Sequence, residues 1–276
     1  MKTILIEKWW SMEITEKKRA GLLDEVRGFA IICMVVYHFL FMLKRFHGVE
    51  VPVFFDDWFD YVWALFAGTF IFISGMVCRF SRNNIKRGAQ CFFLGMVITF
   101  VTAIAAPNFA ILFGILHFLG VCMMFYGLGE KVWDKISPLT GAMVCLFMFA
   151  ITQNVAPIVL EDKTIMSGVV GIAAVPWLSV RLPWVLYDAG LLFPLGFYDP
   201  KVFGSGDYFP LFPWVFLFFA GSYLGVYVKA GKCPKFFYSV RVPFLAAAGR
   251  RTIWIYLLHQ PIAMIFIYFF EKIFKI

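Results

Sequence analysis

Apolar runs of about twenty residues follow one another along this chain with almost no ionisable residue inside them, and nothing else constrains its fold as strongly. A bilayer's hydrocarbon core is ~30 Å thick, which a helix rising 1.5 Å per residue crosses in roughly 20 residues. The runs are continuous and lack the alternation of a membrane barrel, so they read as helical spans. Composition agrees: 62% of the 276 residues are hydrophobic and only 15% charged, against about a quarter charged in soluble domains. The expected fold class is all-α, a polytopic integral membrane helix bundle. Helices are expected over roughly 25–46, 58–80, 86–106, 109–128, 139–159, 210–229 and 251–271. Residues 164–197 form a further apolar region broken by Pro176, Pro183 and Pro194 and carrying Arg181 and Asp188. Two short spans, a re-entrant hairpin or helices at the interface would each fit it. The expected count is seven to nine transmembrane helices, in one membrane domain over 25–276 behind a cytoplasmic or interfacial segment, 1–24. Trp9 and Trp10 suit that interface, and no cleavable signal peptide is expected.

Orientation follows from the basic residues. With the N-terminus inside, Lys and Arg number six in 1–27, four in 79–88, two in 129–138 and six in 229–251, which is eighteen of the chain's twenty-five. That bias makes the N-terminus cytoplasmic. The net charge of +8 therefore sits in short loops facing anionic headgroups, and nucleic acid is not an expected partner. Cys33, Cys78, Cys91, Cys122, Cys145 and Cys233 form no CxxC pair, and five of the six lie in or beside apolar spans. They read as small buried hydrophobes, with neither a disulfide framework nor a metal site. HExxH, P-loop, GxGxxG and GxSxG patterns are all missing, so no metal is expected.

The ionisable residues inside the spans are few, and in hydrocarbon each is costly enough to mark a functional candidate. The first run, LLDEVRGFAIICMVVYHFLFML, carries Arg27 and His38. Eleven residues apart is close to three helical turns, so the two share a face ~16 Å apart, with Asp24 a turn below to support Arg27. A helix entering near Gly28 brings His38 to mid-depth. Arg79 and Arg82 share a face at the cytoplasmic end of the second span, with Lys86 and Arg87 following. Any such cluster serves as a topological anchor; beside Arg27 it also makes an anion site for a ligand with several phosphates, because guanidinium matches phosphate bidentately. His117 and His259 read as structural or pocket-lining, His259 lying beside Gln260 and Pro261. Asp60 and Asp207 are candidates for contact with a polar substrate on the outer side.

The segments LDEVRGFAIICMVVYHF, FIFISG, FGILHFLGV, DYFPLFPWVFLFFAG and GRRTIWIYLLHQP, spread over residues 22–262, resemble the bacterial branch of the heparan-alpha-glucosaminide N-acetyltransferase catalytic-domain family. The chain is also similar to the wider membrane acyltransferases of envelope glycans, in which an Arg-x10-His and an Arg-x-x-Arg recur; here these are Arg27 to His38, and Arg79 to Arg82. The resemblance implies a multi-pass enzyme of a bacterial cytoplasmic membrane, moving an acyl group, commonly acetyl, from cytoplasmic acyl-CoA to a sugar or glycan acceptor. Arg27, Arg79 and Arg82, with Lys86 or Arg87, would hold the phosphates of acetyl-CoA. A neutral His38 would take the acceptor's proton, directly or through an acyl-histidine intermediate. Lysosomal members carry Asn at the position of His38 and a catalytic His further along, for which His47 is the nearest counterpart. Either His38 is the base, or it positions the thioester for His47; His38 is favoured because His47 follows Lys44 and Arg45 in an outer loop. Expected partners are membrane lipids, acyl-CoA and the acceptor, with room for a homodimer. The rival class is a non-catalytic transporter or a membrane protein that binds lipids or small molecules.

Overall fold

The computed structural model describes residues 20–47, 57–159, 164–172 and 176–274. Long helices dominate: α1 (Gly21–His47), α2 (Asp57–Cys78), α3 (Asn84–Ala105), α4 (Ile115–Trp133), α5 (Pro138–Ile151), the one-turn α6 (Val185–Asp188), α7 (Leu211–Lys229), α8 (Pro243–Arg250) and α9 (Thr252–Phe274). Five of those described (α1, α2, α3, α4 and α7) are long and apolar enough to cross a membrane, and the shorter apolar helices Pro138–Ile151 and Thr252–Ile267 accompany them.

The burial pattern is that of helices in lipid. On α3, Phe93, Val97, Phe100 and Ile104 point outward and are exposed, whereas Gly88 and Gly95 are buried against α4. A helix in water would turn its apolar stripe the other way. Small residues let backbones approach where helices cross. A side chain at Gly75 of α2 would run into the Phe218 carbonyl of α7, and one at Gly221 of α7 into the Phe72 carbonyl of α2. Gly28 of α1 and Gly249 of α8 face each other in the same way. The core between these pairs holds Ile71, Phe118, Cys122, Tyr126, Phe218 and Ser222, all shut off from the surface.

Two helices are shorter than their apolar runs. Helix α4 starts at Ile115 where 109 is expected, because Pro107–Phe109 forms a 3₁₀ turn and Phe113 bridges to Tyr208. Helix α5 stops at Ile151 where 159 is expected: Thr152, Gln153 and Asn154 turn the chain, and Pro157 disfavours helix at Ala156. The stretch 164–197 contains neither of two short spans among its described residues. It folds as antiparallel ribbons, β1 (Ile158–Val159) with β2 (Ile165–Met166) and β3 (Val169–Val170) with β4 (Val180–Arg181), followed by α6 and 3₁₀ turns. Buried Tyr187 ties this region together: its hydroxyl donates to the Val155 carbonyl and accepts the Gly168 N–H, at 2.6 and 2.8 Å.

Candidate active site

Helix α1 carries Arg27 and His38 on its inward face, and a cavity lies beside each. Arg27, Arg87 and Arg250 line the first, a space of about 250 Å³ with Ser74 and Thr252 in its wall. Local structure explains how they meet. Buried Glu25 accepts the N–H groups of Arg241 and Val242 at the start of α8, where an acidic group suits the helix N-terminus. That contact and the Gly28–Gly249 crossing press α8 onto α1, which delivers Arg250 and Thr252 to the level of Arg27. Arg27 Nη2 donates to Thr252 Oγ1 at 2.8 Å, its guanidinium lies 5.9 Å from the Phe70 ring centroid, and its buried Nε has no hydrogen-bond partner.

The second cavity, also about 250 Å³, is almost wholly apolar. His38 and Asp207 line it together with Tyr37, Trp63, Phe66 and Phe209. Phe70, Ile115 and Tyr256 belong to the walls of both cavities. The cationic cavity and the one that holds the imidazole therefore adjoin along α1, with these three side chains between them.

Asp207 sits in the loop before α7, a loop tied to the start of α4 by Gly206 N–H to the Ala110 carbonyl and Phe209 N–H to the Phe113 carbonyl. Its carboxyl accepts the Tyr256 hydroxyl at 3.0 Å and the Ile115 N–H. Burial pushes the Asp207 carboxyl above its ordinary range, opposed by those two hydrogen bonds and by nearby His259. His259 lies behind His38, their ring centroids 5.1 Å apart.

The remaining sequence candidates fall elsewhere. Arg79 is buried but does not line either cavity: it pairs with Asp134, donates Nε to the Ser222 carbonyl at 2.8 Å, and packs over Tyr126. It ties the end of α2 to α4 and α7. Arg82 and Lys86 are exposed and line neither cavity. His117 joins α3 to α4, its Nδ1 accepting the Gly114 N–H at 3.2 Å and its Nε2 facing Thr99 Oγ1 at 3.3 Å. Helix α1 continues through His47, so this residue ends a helix and does not lie in a loop; it stands about two and a half turns beyond His38. Asp60 falls in the first turn of α2; the side chains of both lie outside the described residues. Asp24 lies a turn before Arg27, its carbonyl against Gly249. Arg250, Thr252, Tyr256 and Trp63 were not picked out from the sequence. The pair Arg250–Arg251 just before the last helix was the available signal, and it is masked by serving equally as a topological anchor.

A bundle of apolar helices enclosing arginines, an imidazole and a buried carboxyl defines a multi-pass membrane protein with a functional interior. The chain belongs to the family described as heparan-alpha-glucosaminide N-acetyltransferase, catalytic, whose model matches residues 19–261. It is accordingly a membrane-embedded transferase of a family of acetyl-CoA-dependent acetyltransferases. No curated protein and no solved structure matches it.

Proposed function

We propose that this protein moves an acyl group, acetyl by preference, from acyl-CoA to a hydroxyl or amine of a sugar or glycan acceptor across a bacterial cytoplasmic membrane, its N-terminus on the cytoplasmic side. The observation that carries this reading is the pair of cavities strung along α1, cationic beside Arg27 and apolar beside His38, with Phe70, Ile115 and Tyr256 common to both.

Arg27, Arg87 and Arg250 bind the phosphates of CoA at the cytoplasmic mouth, as three convergent guanidinia suit a polyanion. Thr252 holds Arg27 in place, and Arg79 keeps the surrounding helices together. The pantetheine arm follows the route past Phe70, Ile115 and Tyr256. His38 then accepts the acceptor's proton as the hydroxyl or amine attacks the thioester carbonyl, and returns it to the departing thiolate. Asp207, on the same cavity, contacts the polar acceptor. His47 and Asp60 stand nearer the outer approach.

Purified protein tests the reading. Acetyl-CoA is expected to raise its melting temperature, and Arg27→Ala with Arg87→Ala to weaken that binding by roughly tenfold or more, as loss of hydrogen bonds to charged groups does. An unchanged melting temperature at millimolar acetyl-CoA would overturn the proposal and favour a transporter.

A further inference from the structure

We propose that His259 is the positioning residue for His38: a turn of the neighbouring His38 ring brings its N–H to His259 and so fixes which nitrogen faces the substrate; this rests on the reading of His38 as the base. His259 Nδ1 lies 2.6 Å from the Tyr256 carbonyl oxygen, one turn back on α9. A carbonyl only accepts, so Nδ1 carries the hydrogen and Nε2 of the neutral ring is a bare lone pair. That Nε2 is buried without a hydrogen-bond partner. The residue is 9% exposed, and its ring stands 5.1 Å from the ring of His38 and tilted 47° to it.

His117 shows what a packing histidine in this bundle looks like. It is buried too, yet both of its nitrogens have partners, the Gly114 N–H and Thr99 Oγ1. An unsatisfied buried acceptor costs free energy that a leucine or phenylalanine would avoid. At His259 the unused acceptor lies beside His38, which lines the apolar cavity. Tyr256 anchors the arrangement from two directions, its carbonyl holding His259 and its hydroxyl holding Asp207 at 3.0 Å. Asp207 lines the same cavity as His38, so a positive charge appearing on the imidazole pair has a carboxyl group to face.

The step balances without a further reactant. The acceptor's O–H or N–H bond breaks, its heavy atom bonds the acyl carbon, and the carbon–sulfur bond breaks. The proton rests on His38 while the new imidazolium donates its other N–H to His259 Nε2. It then passes to the thiolate, releasing CoA as the thiol, and His259 ends as it began.

His259→Leu removes the acceptor while keeping the volume. It is expected to lower kcat by about 10- to 100-fold and leave KM for acetyl-CoA within roughly twofold, the pattern of an interaction made in the transition state. His259→Gln can donate to the Tyr256 carbonyl and still offer an oxygen towards His38, so it is expected to recover at least about half of that loss on a logarithmic scale. Melting-temperature elevation by acetyl-CoA confirms folding of each variant. If the Leu variant lacks it, His259→Asn takes its place, since its amide keeps the local hydrogen bond but falls short of His38. Wild-type kcat in the Leu variant, or equal impairment in Gln and its shorter or apolar counterpart, overturns the inference. A wild-type protein that transfers no acyl group overturns the proposed function itself, which is a distinct result.

Discussion

The two cavities flanking α1 are alike in size and opposite in chemistry. Three guanidinia, a serine and a threonine line one, while the other offers little beyond His38, Asp207 and the polar edges of aromatic rings. The cationic end is built where α8 is pinned to α1 by Glu25 and paired glycines. The apolar end is built where aromatic rings stack, Tyr37 lying 5.7 Å from Phe59 and nearly parallel to it. On the proposed reading, binding and chemistry are separated along one helix. Phosphate needs fixed positive charge in reach of water, whereas a neutral imidazole and a thioester are best served where water is excluded.

Three substitutions test that separation. The largest effect is expected at the apolar end: His38→Ala should lower transfer by about 10²- to 10⁴-fold, the usual contribution of a general base, while acetyl-CoA still raises the melting temperature. Loss of both together would mean that the cavities are not functionally distinct. Next comes Arg79→Ala, a change away from both cavities. It strands Asp134, whose side chain is 25% exposed, and is expected to cost about 1–2 kcal/mol of stability, less than breaking a fully buried pair does, read as a lower melting temperature with unchanged acetyl-CoA affinity. Weakened CoA binding in a normally stable Arg79→Ala protein would instead place Arg79 on the donor. Arg82→Ala, on an exposed side chain, should shift stability by no more than ~0.5 kcal/mol and leave the KM for acetyl-CoA unchanged within error.

Arg27 and Arg79 also show how far the site was legible. Both stand at the end of an apolar run, and both match a motif. Nothing local separates an arginine that lines a cavity from one that is paired, because Asp134 and Ser222 approach Arg79 from 55 and 143 residues away. The register of Arg27 with His38 was readable, since it lies within one helix and depends only on 3.6 residues per turn. Arg250 was hidden because its role depends on α8 crossing α1 at Gly28. The long helices were legible from run length alone. The region 164–197 was not, since its prolines interrupt an apolar stretch whose ribbons are held by Tyr187 and Val155, contacts that no local pattern encodes.

On the proposed reading one path along α1 carries phosphate at Arg27 and thioester at His38. A cryo-electron microscopy map of the protein with bound acetyl-CoA tests it most directly. The phosphates are expected against Arg27, Arg87 and Arg250, and the thioester carbonyl carbon at the His38 side of the Phe70–Ile115–Tyr256 junction, with the acceptor's attacking atom ~3–3.5 Å from it when present. Phosphate density on Arg79 and Arg82, or a thioester seated beside His47, would contradict the account.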